Sequence, residues 1–238
     1  MPRTNAAVPS IRPSQASLSL YDRFLAQASI DRLQKLLARY ELFKMILDVP
    51  GDIVECGVFK GSGIYTWAKL HRVFKPHNEQ KIIGFDFFER QRQMPLRHRA
   101  DRHVLDEHAD GWSSREEILE NLRVCGIQNV ELIAGNVIET TRAYARAHLG
   151  ARIALLYLDL DTYEATRASL EQLFPLVSPG GIVAFDEYAI RGYGESDAVD
   201  AFFRGKRARL RSLPWANTPT AYLIKQEEAS CPRKRREP

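Results

Sequence analysis

The sequence predicts an α/β fold: a doubly wound, mostly parallel sheet with helices on both faces, preceded by N-terminal helices. Three observations predict it. Short apolar runs alternate with amphipathic stretches over roughly 140 residues, the signature of strand–helix units. Runs such as IALLYLDLD at 153–161 and GGIVAFDE at 180–187 are apolar almost throughout, as strands buried on both faces must be. Acidic residues close four of the runs (Glu55, Asp86, Asp159 and Asp186), at the end of the sheet where α/β folds bind ligands.

The elements follow in order. Residues 1–17 are rich in Pro, Ser and Arg and lack an apolar h-region, so a disordered start without a signal peptide is expected. From 18 to about 49 the spacing is helical. Leu33, Leu36, Leu37, Tyr40, Phe43 and Ile46 recur at steps of three and four, with Arg32, Lys35, Arg39 and Lys44 between them. Pro50-Gly51 stops this N-terminal helical extension (18–50). The main domain is expected over 51–226, with strands at 52–56, 81–86, 130–134, 153–159 and 181–186. Segments 210–213 and 220–225 are expected to form a final strand pair. The stretch 87–112 has no period and is rich in arginine and histidine. A connection this long is expected to be a lid over the site. Residues 227–238 read as a disordered basic tail.

Composition excludes several classes. The 238 residues are 45% hydrophobic and 27% charged, enough apolar material for one globular core. Three cysteines in no ligand spacing rule out a disulfide framework and a zinc ribbon. Cys56 and Cys125 read as core residues, and Cys231 lies in the tail. The longest apolar run, 153–158, falls far short of the ~18 residues that span a bilayer, so a cytoplasmic, soluble protein without membrane attachment is expected. The net charge is +4, and the last six residues, RKRREP, hold four basic residues and one acid. No groove-reading motif accompanies this tail, so no nucleic-acid partner is expected.

Two constellations carry chemistry. The first is ECGVFKGSG at 55–63, after an apolar strand and at the start of a helix. Its glycines allow a sharp turn and close approach to a ligand, and the helix N-terminus adds unpaired N–H groups. The spacing of Gly57, Gly61 and Gly63 fits neither GxGxxG nor a P-loop. Asp86, closing the second strand, is placed to accept hydrogen bonds from ribose hydroxyls. Glu55 is placed to hold an ammonium group or its water. The two acids suit a cofactor with a cationic amino acid and a ribose; the plainer reading is a tight strand–helix turn. The second constellation is Asp159 and Asp161, two apart, with Asp186-Glu187 closing the next strand. If those strands are neighbours, Asp159, Asp186 and Glu187 converge. A ligand set without His or Cys suits Mg²⁺ or another hard divalent ion. The plainer reading is that these acids cap the following helices, Asp161 above all.

The chain resembles the S-adenosylmethionine-dependent, Mg-dependent sugar O-methyltransferases of the macrocin, mycinamicin and novobiocin type. The resemblance rests on GDIVECGVFKGSG, IGFDFFE, WSSREEILEN, LYLDLDTYEATRASLEQLFPLVSPGGIVAFDEY and ESDAVDAFF, in that order over roughly residues 30–205. It implies a Rossmann-like class I methyltransferase fold. It also implies that Glu55, Gly57, Phe59, Gly61 and Ser62 surround the methionine part of S-adenosylmethionine, with Asp159 close by, and that Asp86 meets the ribose. Ser113 and Ser114 would lie beside the adenine and Asn136 at its opposite edge. Asp159, Asp186 and Glu187 would hold Mg²⁺, and Asp161 would be the general base. The family more often has Asp at positions 136 and 187. One of the lid histidines, His98, His103 or His108, is the alternative base.

The expected function is O-methylation of a hydroxyl on a deoxysugar or glycosylated natural product. Chelation of the acceptor diol would lower the hydroxyl pKa, and a carboxylate would take the proton. A catechol-type O-methyltransferase is the alternative, and a DxD nucleotide-sugar glycosyltransferase a more distant one. The arginine-rich run 204–211 reads as a solvated face, or else as a contact for a sugar-linked phosphate. The N-terminal helices carry more apolar positions than a peripheral cap requires, so a homo-oligomer is expected.

Overall fold

A computed structural model of the chain describes residues 19–89, 94–104 and 111–226. The expected disordered start, the basic tail, His108 and Cys231 lie outside these residues.

The N-terminal helical pattern is two helices, α1 (Leu20–Gln27) and α2 (Ile30–Met45). They part at Ala28-Ser29, both in extended conformation, because serine favours a cap over a helix interior. Ser19 caps α1 in a reciprocal box with Asp22. No residue of α1 is buried, whereas α2 buries Ala38, Arg39, Leu42 and Phe43.

Six strands follow, β1 (Asp52–Cys56), β2 (Ile82–Asp86), β3 (Val130–Ala134), β4 (Ile153–Leu158), β5 (Val177–Phe185) and β6 (Ala221–Ile224). The helices between them are α3 (Ser62–Phe74), α4 (Arg115–Val124), α5 (Val137–Ala147), α6 (Tyr163–Leu173) and α7 (Glu195–Phe203). The strand order is β3-β2-β1-β4-β5-β6, all parallel except β6, which runs against β5. All five expected central strands form. β5 begins earlier than expected, because Val177 already pairs with Ile153 before the register shifts. The expected final strand pair is only half present. Arg211 makes one bridge to Tyr222, and Pro214, which has no N–H to donate, follows too closely for a ladder.

The sheet separates two cores. Ile53, Leu155, Tyr157, Ile182 and Ala184 pack with Leu42, Phe43, Trp67 and Ile118 on one face. Val54, Cys56, Leu156, Leu158, Val183 and Phe185 pack with Leu170, Leu173 and Val199 on the other. Alternate residues of one strand thus face opposite cores, each large side chain contributing roughly 1.5–3 kcal/mol by burial. Among the described residues no helix is long and apolar enough to cross a membrane.

β1 and β4 are neighbours although distant in sequence, so the chain winds away on either side and leaves a crevice at their carboxyl ends. There the backbones nearly touch. The Asp159 N–H donates to the Cys56 carbonyl at 2.9 Å. A Cβ on Gly57, whose φ is +90°, would lie 1.7 Å from the Asp159 carbonyl oxygen. Gly57→Ala is therefore expected to lower the unfolding free energy by on the order of 3 kcal/mol or more. Urea denaturation checks this, and a loss below ~1 kcal/mol would contradict the close approach.

Candidate active site

At the end of β1, Glu55 stands opposite Tyr157 of β4 and is 1% exposed. It fits there because Gly63 has no side chain; a Cβ at that position would fall 1.8 Å from Glu55 Oε1. Arg39 of α2 reaches in beside it, with Nη2 3.5 Å from Glu55 Oε1 and Nη1 3.3 Å from Ser62 Oγ. The guanidinium lies 5.3 Å from the Tyr157 ring and 5.8 Å from that of Trp67, a stacked setting that suits Arg far better than Lys. Burial pushes the Glu55 carboxyl up to about 8 against the opposing charge of Arg39. Glu55 Oε2 and Arg39 Nε are buried without a hydrogen-bond partner among the described residues.

Asp86 organises the glycine loop. Its Oδ2 accepts from the N–H groups of Val58 at 2.8 Å and Phe59 at 2.7 Å, and its Oδ1 accepts from Phe87 N–H at 2.6 Å. Each carboxylate oxygen accepts two bonds, so one acceptor position remains, on Oδ1.

Across the crevice the acids of β4 and β5 converge. Asp159, Asp161 and Glu187 each bring one carboxylate oxygen within 4.8 Å of the others. Asp161 occupies a tight turn, φ 60°, closed by the Thr162 N–H on the Leu160 carbonyl at 2.5 Å. Left-handed geometry of this kind is tolerated by Asp and concentrates at functional sites. Asp186 lies deeper, 1% exposed. It accepts from the Tyr157 hydroxyl and, at 2.7 Å, from Lys35 Nζ, which also lies 3.1 Å from Asp159 Oδ2.

These neighbours set the protonation states. Burial, reinforced by the Asp186 charge, raises Asp159 to about 7, with Lys35 opposing. Burial also pushes Asp186 upward, but the Lys35 charge and hydrogen bonds from Glu187, Lys35 and Tyr157 outweigh it and hold this carboxyl below its ordinary range. Glu187 is driven well above the usual value by burial and the surrounding carboxylates. Glu195 is buried beneath the group and likewise raised; its Oε1 accepts from the Glu187 N–H at 2.9 Å.

A cavity of about 240 Å³ joins the two halves. Glu55, Gly57, Phe59, Ser62, Asp86, Asp159, Asp161 and Glu187 line it, as the sequence suggested, together with Arg32, Lys35 and Arg39 of α2. Gly61, Ser113, Ser114, Asn136 and Asp186 are not part of this lining. Ser114 Oγ caps α4, accepting from Glu117 N–H at 3.1 Å, and Asn136 Oδ1 caps α5, accepting from Ile138 N–H at 3.0 Å. Ser113 N–H donates to the Phe59 carbonyl at 3.3 Å. His98 and His103 are outside the lining as well. His98 stacks on Tyr163 and pairs with Asp197 at 3.0 Å, and His103 lies against Tyr193.

Lys35, Arg39, Tyr157 and Glu195 escaped sequence reading. The first two sit four apart on one helical face, but nothing in the pattern says that this face turns inward. Among the described residues, Lys206, Arg207 and Arg209 of the arginine-rich run are exposed. They surround the carboxyl end of β6, where the Lys225 N–H donates to the carbonyl of Gly181, in the middle of β5.

Residues 25–212 match the macrocin-O-methyltransferase (TylF) family. The chain is 34% identical, over 190 residues, to the 8-demethyl-8-(2,3-dimethoxy-alpha-L-rhamnosyl)-tetracenomycin-C 4'-O-methyltransferase of Streptomyces olivaceus, covering 69% of this chain and 70% of that protein. It is 29% identical, over 167 residues, to the demethyldecarbamoylnovobiocin O-methyltransferase of Streptomyces niveus, covering 65% of this chain and 59% of the relative. A solved calicheamicin methyltransferase superposes with a TM-score of 0.69 at 30% identity, over 87% of this chain and 84% of that one. The O-methyltransferase NovP, at 23% identity and a TM-score of 0.69 over 82% and 80% of the two chains, shares the fold.

The raised Glu55 carboxyl has a consequence for stability. Between 4.5, its ordinary value, and about 8 the folded chain holds a proton that the unfolded chain has lost, so the unfolded state binds fewer protons and stability falls as pH rises. Thermal melts of the ligand-free protein are expected to decline across that window, and Glu55→Gln is expected to make the decline shallower without abolishing it, since Asp159, Glu187 and Glu195 are raised as well. An unchanged slope in the variant would place the effect elsewhere.

Proposed function

The chain belongs to the macrocin-O-methyltransferase family, and we propose that it moves the methyl group of S-adenosylmethionine onto a hydroxyl of a deoxysugar, with a hard divalent cation at the acidic group. As an O-methyltransferase it leaves no place for the glycosyltransferase alternative. The observation that carries the finer reading is the two-ended cavity. A buried carboxylate with one oxygen unpaired among the described residues and a glycine loop stand at one end, and three convergent carboxylates at the other. The names of the relatives support a sugar acceptor. One methylates a rhamnosyl group on tetracenomycin, and a solved relative, 31% identical over 92% of this chain and 89% of that one with a TM-score of 0.67, is a TDP-rhamnose 3'-O-methyltransferase.

The residues fit both absent groups. Glu55, which lines the cavity and has a buried Oε2 without a partner among the described residues, is the acceptor an ammonium group calls for, and Asp86 retains one acceptor position, on Oδ1, for a ribose hydroxyl. An all-carboxylate set suits Mg²⁺ or Mn²⁺. Bound there, S-adenosylmethionine supplies an activated methyl group with its own leaving group, and the cation supplies acidity to the acceptor hydroxyl. Asp159 and Glu187 of the convergent group would hold the cation, with Asp186, which lies deeper and is bound by Lys35 and Tyr157, as the third acid assigned to it. Lys35 and Tyr157 keep Asp186 ionised and fix its direction, as outer partners of metal ligands do. Asp161 takes the hydroxyl proton on a carboxylate oxygen, a contribution of typically ~10²–10⁴-fold. Arg39 holds Glu55 in place, and the glycine loop would seat the methionine end of the cofactor beside it.

Titration calorimetry with S-adenosylhomocysteine is expected to show micromolar binding, weakened about tenfold or more by Asp86→Ala; no binding at all would remove the cofactor assignment. Asp161→Asn is expected to keep Mn²⁺ affinity within about threefold while lowering kcat by ~10²–10⁴. Loss of Mn²⁺ binding in that variant would make Asp161 a ligand instead of the base. We also infer a cytoplasmic homo-oligomer built partly on α1, whose Leu20, Tyr21 and Leu25 stay exposed, with Ile30 of α2 beside them. Light scattering that returns a mass near 27.2 kDa at micromolar concentration would overturn it.

A further inference from the structure

Asp101 belongs to none of the groups above, yet it is a wholly buried carboxylate, 0% exposed, on a single 3-10 turn at Arg99–His103. Its two oxygens serve two different loops. Oδ2 accepts from the Tyr163 N–H at 2.7 Å and Oδ1 from the Gly194 N–H at 2.7 Å. Tyr163 opens α6, immediately after the strained turn that carries Asp161. Gly194 precedes Glu195, whose carboxylate accepts from Glu187 N–H. Gly194 itself is shaped for this contact, because a Cβ there would lie 2.6 and 2.8 Å from the two oxygens of Asp101. His98, stacked on Tyr163 and paired with Asp197 of α7, seats the same turn on the same two helices.

We propose that Asp101 is a positioning residue that ties the loop of Asp159 and Asp161 to the loop of Glu187, so that the acidic group holds its geometry as one unit. A charge-assisted acceptor between two backbone donors, sealed from water, is among the stronger hydrogen-bond arrangements available. Severing it on one side frees both loops, because each is anchored through the same carboxylate. The consequence for metal binding rests on the reading of the acidic group as a cation site; the coupling of the loops does not.

Two variants test this. Asp101→Asn keeps the shape but places an amide N–H₂ against one backbone donor. Tyr163→Pro removes one donor and leaves Asp101 intact. Proline is favoured at the first helical position, and Thr162, at φ −101° and ψ 149°, already has the extended conformation required before it. Tyr163→Ala is the control for the lost ring. Hydrogen exchange read by mass spectrometry is expected to speed up in both peptides, 159–165 and 187–195, for each of the two variants relative to its reference. Manganese affinity is expected to fall about tenfold or more, with S-adenosylhomocysteine binding held within about twofold, since Glu55 and Asp86 are not tied to Asp101. If Tyr163→Pro loosens only 159–165 and leaves 187–195 as in Tyr163→Ala, the coupling is overturned. The same holds if Asp101→Asn folds and leaves both loops protected. Should the unaltered protein bind no Mn²⁺, the cation reading fails, and the exchange data alone decide the role of Asp101.

Discussion

Buried negative charge is the constraint on which this site is built. Glu55, Asp186 and Glu195 are each 1% exposed or less, and Asp159 and Glu187 crowd against them. Carboxylates so placed carry a desolvation penalty of several kcal/mol each unless they are paired or protonated. Both remedies are in use. Lys35 and Arg39, one turn apart on α2, bring cations to Asp186, Asp159 and Glu55. Glu187 and Glu195, which have no such partner among the described residues, are pushed well above the ordinary carboxylate range. The N-terminal helix is therefore part of the site, held to the sheet by charge as well as by Leu42 and Phe43. A cationic ligand entering this cavity relieves a penalty already present in the fold.

Close backbone approach is the second requirement, and glycine meets it at three different contacts. Gly57 lets the ends of β1 and β4 touch, Gly63 leaves room for Glu55, and Gly194 leaves room for Asp101. None of the three contacts tolerates a Cβ without displacing a carbonyl or a carboxylate. The glycines of the loop after β1 thus do more than turn the chain. They set the distance between the Glu55 and Asp86 half of the cavity and the half that holds Asp159, Asp161 and Glu187.

The central strands were legible because burial on both faces leaves short, nearly continuous apolar runs bounded by turn residues, as in β4. The acids at their ends were legible because the crevice of a doubly wound sheet lies where strands end. Two of the residues assigned to the cofactor have a structural part that the sequence reading did not give them. Ser114 and Asn136 entered as cofactor neighbours, and their side chains cap α4 and α5. The spacing of Ser114 and Glu117 is itself a helix-start signal. Ser29 broke a pattern that periodicity alone carried through, since apolar spacing does not register one residue leaving the helix.

By itself the sequence determined the order of strands and helices, the doubly wound class and the identity of the acids at the carboxyl edge, all local properties of composition and spacing. Only the tertiary structure decided which charges meet. Lys35 and Asp186 are 151 residues apart, and Asp101 and Gly194 are 93 apart. Helical periodicity marks the polar positions of α2 but not whether they face water or a buried carboxylate. That choice is made when α2 packs across the strand ends, where the energy of pairing two charges depends on a distance of a few ångströms and on the exclusion of water.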